Sequence, residues 1–290
     1  MEQKSALVLG SSGAFGGAVL NELKAKGWAV HRYSRGTDMR TAAQGCQLVV
    51  NGLNPPNYHA WDRLIPEITD SVIAAVKGSG ATVLIPGNVY PFGVQPAPWG
   101  VETPHRPNSR KGRIRMEMES RYQDASDHDQ FRAILLRAGD FLGTSPKLAI
   151  NMVNLRNIQK GRISYLGAAD APHAWAWLPD LARAGVDLAA LQDRPAYLDV
   201  PFPGLTFSMR DFCHHAERVC GRPMRLTRFP AWIFAVASPF WELGRELREM
   251  LYLYEHPHWM EGETLAALLP KFQMTPLESV IRELLAAKGL

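Results

Sequence analysis

Gly10, Gly13 and Gly16 stand three residues apart, directly after the wholly apolar run at residues 6–9 and directly before Ala18, Val19, Leu20 and Leu23, which give a helix one apolar face. Glycines in that setting suit phosphate binding. Gly10 permits a tight turn, Gly13 the close approach of a pyrophosphate, and Gly16 the packing of helix on strand. The helix N-terminus behind them offers free N–H groups and a positive dipole end, so Ser12, Ala14 and Phe15 join the glycines as candidate cofactor contacts. Gly27 stops the helix and a second strand begins at Trp28, which completes a βαβ unit. That strand runs into His31-Arg32-Tyr33-Ser34-Arg35, with no carboxylate before Asp38. A site for NAD usually has an acidic residue there for the ribose 2′-hydroxyl. Arg35 beside Ser34 would instead meet a 2′-phosphate through charge-assisted hydrogen bonds, so the expected cofactor is NADP(H) rather than NAD(H).

A second cluster is cationic: Arg110, Lys111, Arg113 and Arg115 lie together at an expected helix start. Cations there oppose the helix dipole by about 0.3–1 kcal/mol each when exposed, which points to an anionic partner, the alternative being a solvated helix face. Cys213-His214-His215, His256 and His258 lack convincing ligand spacing, and no metal is expected.

These groups must be positioned by alternating strands and helices. Further strands are expected at residues 47–50, 81–85 and 131–137. A helix is expected at 58–76, with Ile65, Ile68, Val72, Ile73 and Val76 as its apolar stripe. The 290 residues, 21% charged and 46% hydrophobic, suit one large domain or a domain with a smaller lobe. The net charge of +4 is mild, and no Lys/Arg block resembles a nucleic-acid tail, so no nucleic-acid partner is expected. Three cysteines without a framework suggest a reducing, cytoplasmic setting. The early first strand leaves no room for a signal peptide, and no apolar run reaches the ~18 residues of a membrane-spanning helix. Residues 230–242 are rich in apolar and aromatic side chains. They are expected as plain core, with a pocket roof or a homodimer interface as the alternatives.

The G-x-x-G-x-x-G spacing resembles the short-chain dehydrogenase/reductase superfamily in its extended (epimerase/dehydratase-like) or atypical branch. Further segments are similar to that family: residues 86–93 around Val89-Tyr90, the loop Ala138-Gly139-Asp140-Phe141-Leu142-Gly143, the run Trp177-Leu178-Pro179-Asp180-Leu181-Ala182, and Thr275-Pro276-Leu277-Glu278. The resemblance implies a Rossmann-type, doubly wound parallel α/β sheet over residues 1–200. A small, mostly helical substrate lobe would follow at 201–290, with about 144–165 joining it. It implies cofactor contacts from Asn51, Gly52 and Leu53 after the third strand and from Asn88, Gly139, Asp140 and Phe141 beside the nicotinamide. Asp38 would contact adenine or simply cap a turn, and Asp180 would be a helix N-cap.

The family's catalytic Tyr-x-x-x-Lys pair is missing; Lys111 and Arg115 hold those positions, four residues apart on one helix face. Lysine's ordinary pKa of about 10.4 is close to tyrosine's, so Lys111 is the expected proton carrier, depressed by Arg115, whose forked donors also suit ribose hydroxyls. Tyr90 is the next candidate acid. The resemblance thus implies an NADP(H)-binding atypical reductase acting on a small polar or anionic metabolite. The alternatives are a sugar-nucleotide-type epimerase or dehydratase, and a catalytically silent NADP(H) sensor or scaffold.

Overall fold

A computed structural model describes residues 3–230 and 242–290. Its strands are β1 (Ser5–Leu9), β2 (Ala29–Arg32), β3 (Leu48–Asn51), β4 (Thr82–Asn88), β5 (Arg132–Ala138), β6 (Asp140–Leu142), β7 (Arg162–Tyr165), β8 (His173–Trp177), β9 (Tyr197–Pro201), β10 (Leu205–Phe207) and β11 (Arg225–Arg228). The helices used below are α1 (Ala14–Ala25), α2 (Met39–Ala43), α3 (Trp61–Val76), α4 (Arg110–His128), α5 (Leu178–Ala190), α6 (Met209–Cys220), α7 (Glu242–Glu249), α8 (Tyr252–Glu255), α9 (Glu263–Leu268) and α10 (Leu277–Ala286).

Six strands form one parallel sheet in the order β2-β1-β3-β4-β5-β9. Alternate residues of its strands enter two separate cores: Ala6 and Val8 pack in the one that includes Phe15 and Val19 of α1, Leu7 and Leu9 in the one that includes Ile65 and Val72 of α3. Burial on both faces explains why β1 reads as a continuous apolar run. The chain leaves β1 for β2 on one side and returns to β3 on the other, so a crevice opens beyond the carboxyl ends of β1 and β3. In such open α/β sheets that switch point is where ligands bind. The doubly wound, Rossmann-type expectation holds.

The side opposite β2 is built differently. β8 pairs parallel with β6 and antiparallel with β10, and β7 pairs parallel with β11, so two small sheets accompany the helices beyond Leu205. Asp180 is not the N-cap it was expected to be. Helix α5 starts after Trp177, with Pro179 in its first turn, where a missing N–H costs nothing. Asp180 is buried and accepts from Thr275 N (2.6 Å), Thr275 Oγ1 (2.8 Å) and Arg183 (2.9 Å), which ties the lead-in of α10 to α5. The apolar stretch 230–242, apart from its two end residues, lies outside the described residues.

Arg137 of β5 is 1% exposed and holds two carboxylates: Glu119 of α4 (2.8 and 3.1 Å) and Asp199 of β9 (2.6 and 3.3 Å). A further donation to Asn88 O (3.0 Å) fixes the end of β4 beside them. Breaking a buried pair of this kind costs far more than its presence gains, so α4, β4, β5 and β9 are locked in one arrangement.

Candidate functional site

The crevice is walled by backbone. Gly10 has φ +68°, and a Cβ on it would lie 2.3 Å from Gly52 O. One on Gly16 would lie 2.5 Å from Gly10 O, and one on Gly52 2.7 Å from Leu9 O. Only glycine fits these three positions. Gly13 differs. It is exposed with φ −81°, and the nearest neighbour of an added Cβ would be Gly10 O at 3.2 Å. Packing within the chain therefore does not demand glycine there; a side chain would project into the crevice instead. Gly13 is the N-cap of α1 and supplies no side-chain cap, which leaves the first-turn N–H groups of Ala14, Phe15 and Gly16 directed out of the helix end. Ser12 is exposed beside them. The Phe15 ring is buried and stacks on Phe141 (6.4 Å between centroids), so only its backbone faces the task assigned to it.

Ser34 and Arg35 are exposed on a turn closed by Thr37 Oγ1 donating to Ser34 O (2.7 Å). Asp38 caps α2, accepting from both Thr41 N and Thr41 Oγ1 at 2.7 Å, and these bonds hold its carboxyl below the ordinary value. Asn51 donates to Tyr122 Oη (2.9 Å) and accepts from Leu53 N (3.2 Å), while Asn88 accepts from Tyr90 N (3.1 Å). Their side chains thus shape the loops after β3 and β4. A Cβ on Gly139 would lie 2.1 Å from Ala174 O, so glycine there lets β8 approach β5.

The basic start of α4 meets an anion from within the chain, which corrects the expectation of an outside partner. Lys111 is 1% exposed, and its ammonium lies between Glu246 (2.6 Å) and Glu249 (2.5 Å) of α7, 5.0 Å from the centre of the Tyr58 ring. Glu249 also accepts from Lys111 N (3.1 Å), and Arg110 pairs with Asp62 (3.1 Å). One turn on, the Arg115 guanidinium stacks over Trp61 (4.9 Å) and donates to Pro86 O (3.3 Å). Arg115 Nε and Trp61 Nε1 are buried donors with no acceptor among the described residues.

Beside this cluster lies a cavity of about 60 Å³, lined by Tyr58, Tyr90, Asp140, Asn154 and Tyr254 and by apolar groups that include Leu166, Leu247 and Met250. The Tyr58 and Tyr90 hydroxyls are 3.2 Å apart. Burial pushes the pKa of Tyr58, Tyr90 and Tyr254 upward, so all three stay neutral phenols. Asp140 behaves oppositely. Burial alone would raise its pKa, but hydrogen bonds from His173 and Tyr254 and the charge of His173 outweigh that and hold the carboxyl below its ordinary value. Both bonds end on one oxygen, Oδ2: His173 Nε2 at 3.1 Å and Tyr254 Oη at 2.9 Å. The His173 ring stacks on Tyr254 (5.1 Å) and meets the edge of His258 (4.4 Å), which lies flat against Trp99 (4.8 Å).

The structure therefore brings Tyr90, Asp140 and, through Tyr58, Lys111 to one place, while Arg35 and Asp38 lie at the far end of the crevice by β2. Sequence reasoning missed Tyr58, His173, Tyr254, Glu246 and Glu249. Tyr58 was placed inside a helix, yet it precedes α3 in a stretch where Asn57, Tyr58 and Ala60 all have positive φ; the Pro55-Pro56 pair ahead of it was the available signal. Among the described residues no group of three or more His, Cys, Asp or Glu side chains could hold a metal ion, and no helix is long and apolar enough to cross a membrane.

Fold and crevice together define a Rossmann-type, doubly wound α/β architecture with a glycine-walled crevice at its switch point. No family model and no curated protein matches the sequence. Solved structures do match. MoeE5, in complex with UDP-glucose and NAD, aligns at a TM-score of 0.78 with 12% identity over 98% of both chains. UDP-glucuronic acid 4-epimerase from Bacillus cereus, in complex with UDP-glucuronic acid and NAD, aligns at 0.74 with 13% identity over 98% of this chain and 99% of that one. The NAD-dependent NDP-hexosamine 5,6-dehydratase TunA, involved in tunicamycin biosynthesis, aligns at 0.71 with 13% identity over 99% and 98%. At such identities the likeness is one of fold.

Proposed function

We propose that the protein binds a nicotinamide dinucleotide in the Gly10–Gly16 crevice and acts as an epimerase or dehydratase on a substrate of the sugar-nucleotide type. The observation that carries this reading is the extent of the likeness: it spans the small sheets and helices after β5 as fully as the dinucleotide half. The residues present fit the cofactor. The crevice in front of Gly13 is open, the α1 N-terminus suits a pyrophosphate, and Arg115 keeps a buried donor without an acceptor, which suits a ribose hydroxyl. A nicotinamide bound there would supply reversible hydride transfer. The proton work falls to Tyr90, a neutral phenol in the cavity, rather than to Lys111, whose ammonium already has two carboxylate partners. The cofactor is NADP(H): the nearest acidic residue after β2, Asp38, has its carboxylate taken up in capping α2, and Arg35 is exposed and free to meet a 2′-phosphate.

The test has two arms. Incubation with NADP⁺ and a panel of UDP-hexoses should give a changed sugar with no net change in cofactor redox state. Stoichiometric cofactor consumption would make the protein a reductase, and tight binding without turnover would make it a sensor. For cofactor choice, Arg35→Ala should weaken NADPH by about one to two powers of ten and leave NADH nearly untouched, since each charge-assisted bond contributes roughly 1.5–3 kcal/mol. Equal losses for both would remove Arg35 as the discriminator.

A further inference from the structure

The cavity beside the crevice is charged in one direction only. Of the described residues that line it, Asp140 alone is ionic. Both of its internal hydrogen bonds are received by Oδ2, and Oδ1 has no partner among the described residues. The cations near it are already engaged: His173 is bound to Oδ2, and Lys111 pairs with Glu246 and Glu249, the first of which also holds Arg245. Arg115 is turned to Trp61 and Pro86 and does not line the cavity. The remaining polar groups facing the space, Tyr58, Tyr90 and Tyr254, are phenols, and Asn154 is an amide. At about 60 Å³, where roughly 10–15 Å³ on the same measure holds one water, the cavity has room for a group of about four to six heavy atoms and not for a whole hexose.

We infer that Asp140 reads the end of the substrate that enters this cavity, selecting a neutral hydroxyl or an amino group and rejecting a carboxylate. A hydroxyl would donate to Asp140 Oδ1 and accept from Tyr90 or Tyr58, which satisfies its proton and one of its two lone pairs. An ammonium would be paired directly. A carboxylate would face a second carboxylate whose one cationic partner, His173, is already taken up on Oδ2, with no further cation among the described lining residues, a repulsion large enough to cost tenfold or more in affinity. His173 and Tyr254 act as positioning residues: by loading Oδ2 they fix the carboxylate and leave Oδ1 as its free face. The inference rests on the reading of a nucleotide-linked substrate and narrows the expected polar or anionic metabolite to the non-anionic half of that class.

The test uses the full chain saturated with NADPH and compares UDP-glucose, UDP-glucosamine and UDP-glucuronate by titration calorimetry. Wild-type protein should bind the first two at least tenfold more tightly than the third, and Asp140→Asn should shrink that gap to about threefold or less. Equal or tighter binding of UDP-glucuronate by wild type, or an unchanged ratio in Asp140→Asn, would overturn the inference. Should none of the three bind, the sugar-nucleotide reading falls, and the charge preference is then read without it. In that arm the carboxyl ¹³C resonance of Asp140 is followed while methylammonium, ethylene glycol or acetate is added. Movement with methylammonium or ethylene glycol and none with acetate supports the inference; movement with acetate alone, or with none of them, overturns it.

Discussion

His258 has no exposed surface, and burial, with the charge of His173 second, pulls its pKa down to about 3. Its Nδ1 lies 2.9 Å from His256 O, and its Nε2 is buried without a partner among the described residues. In an unfolded chain the same imidazole titrates near 6.5, so between about pH 6.5 and 3 the unfolded state binds more protons and stability falls as the pH falls, by at most about 1.4 kcal/mol per unit. Asp140 enters lower still. Its folded pKa is depressed, so its contribution is complete above the unfolded value and is lost only as pH falls through the folded one. Urea unfolding followed from pH 7 to 4 should therefore show a declining wild-type stability and a flatter profile for His258→Phe. Parallel profiles would refute the assignment. None of this was legible at the residue. His258 reads as one of two histidines two apart, and its meaning comes from Trp99, stacked on it, and His173, set edge-on to it, both from distant parts of the chain.

Helices α4 and α7 meet through one buried cation. Lys111→Met would leave Glu246 and Glu249 facing each other without it, and removing one partner of a buried ion group costs about 3–5 kcal/mol. The expected result is a fall of that size in chemical denaturation, largely recovered when Glu246→Gln and Glu249→Gln are added. Normal stability in Lys111→Met would show that the contact is incidental. Elements whose reason is local were legible in the sequence: β1 from its apolar run, α1 from the glycines before it, and the start of α4 at the basic cluster. What joins them was not, because Lys111 and Glu249 are 138 residues apart, and Lys111 reads as a proton carrier while Glu249 carries no signal of its own. Asp180 misled for the same reason. Its type and place suited a helix cap, and its partner, Thr275, is 95 residues away.

At the scale of the molecule the sheet order is what opens the crevice proposed for the cofactor, since β1 and β3 part around it and three glycines bring their ends together. The doubly wound sheet was expected from the resemblance that the glycine spacing carries, and right-handed crossovers leave few alternatives once the βαβ unit is read. The glycines themselves should divide by role. Gly16→Ala would place a methyl 2.5 Å from Gly10 O, so it should lower the melting temperature whether or not a cofactor is added. Gly13→Val meets one tight contact, 3.2 Å to Gly10 O, at a permitted φ and gives up a glycine N-cap, so when free it should melt below wild type but above Gly16→Ala. The difference appears on adding NADPH. A ligand at a hundred times its Kd stabilises by about 2.7 kcal/mol, which for a chain of this length raises the melting temperature by about 4 °C. Wild type should show that rise and Gly13→Val should not, because its side chain fills the space kept for the pyrophosphate. A full rise in Gly13→Val would place the dinucleotide elsewhere on the molecule, and with it would go the reading of the Gly10–Gly16 crevice as its site.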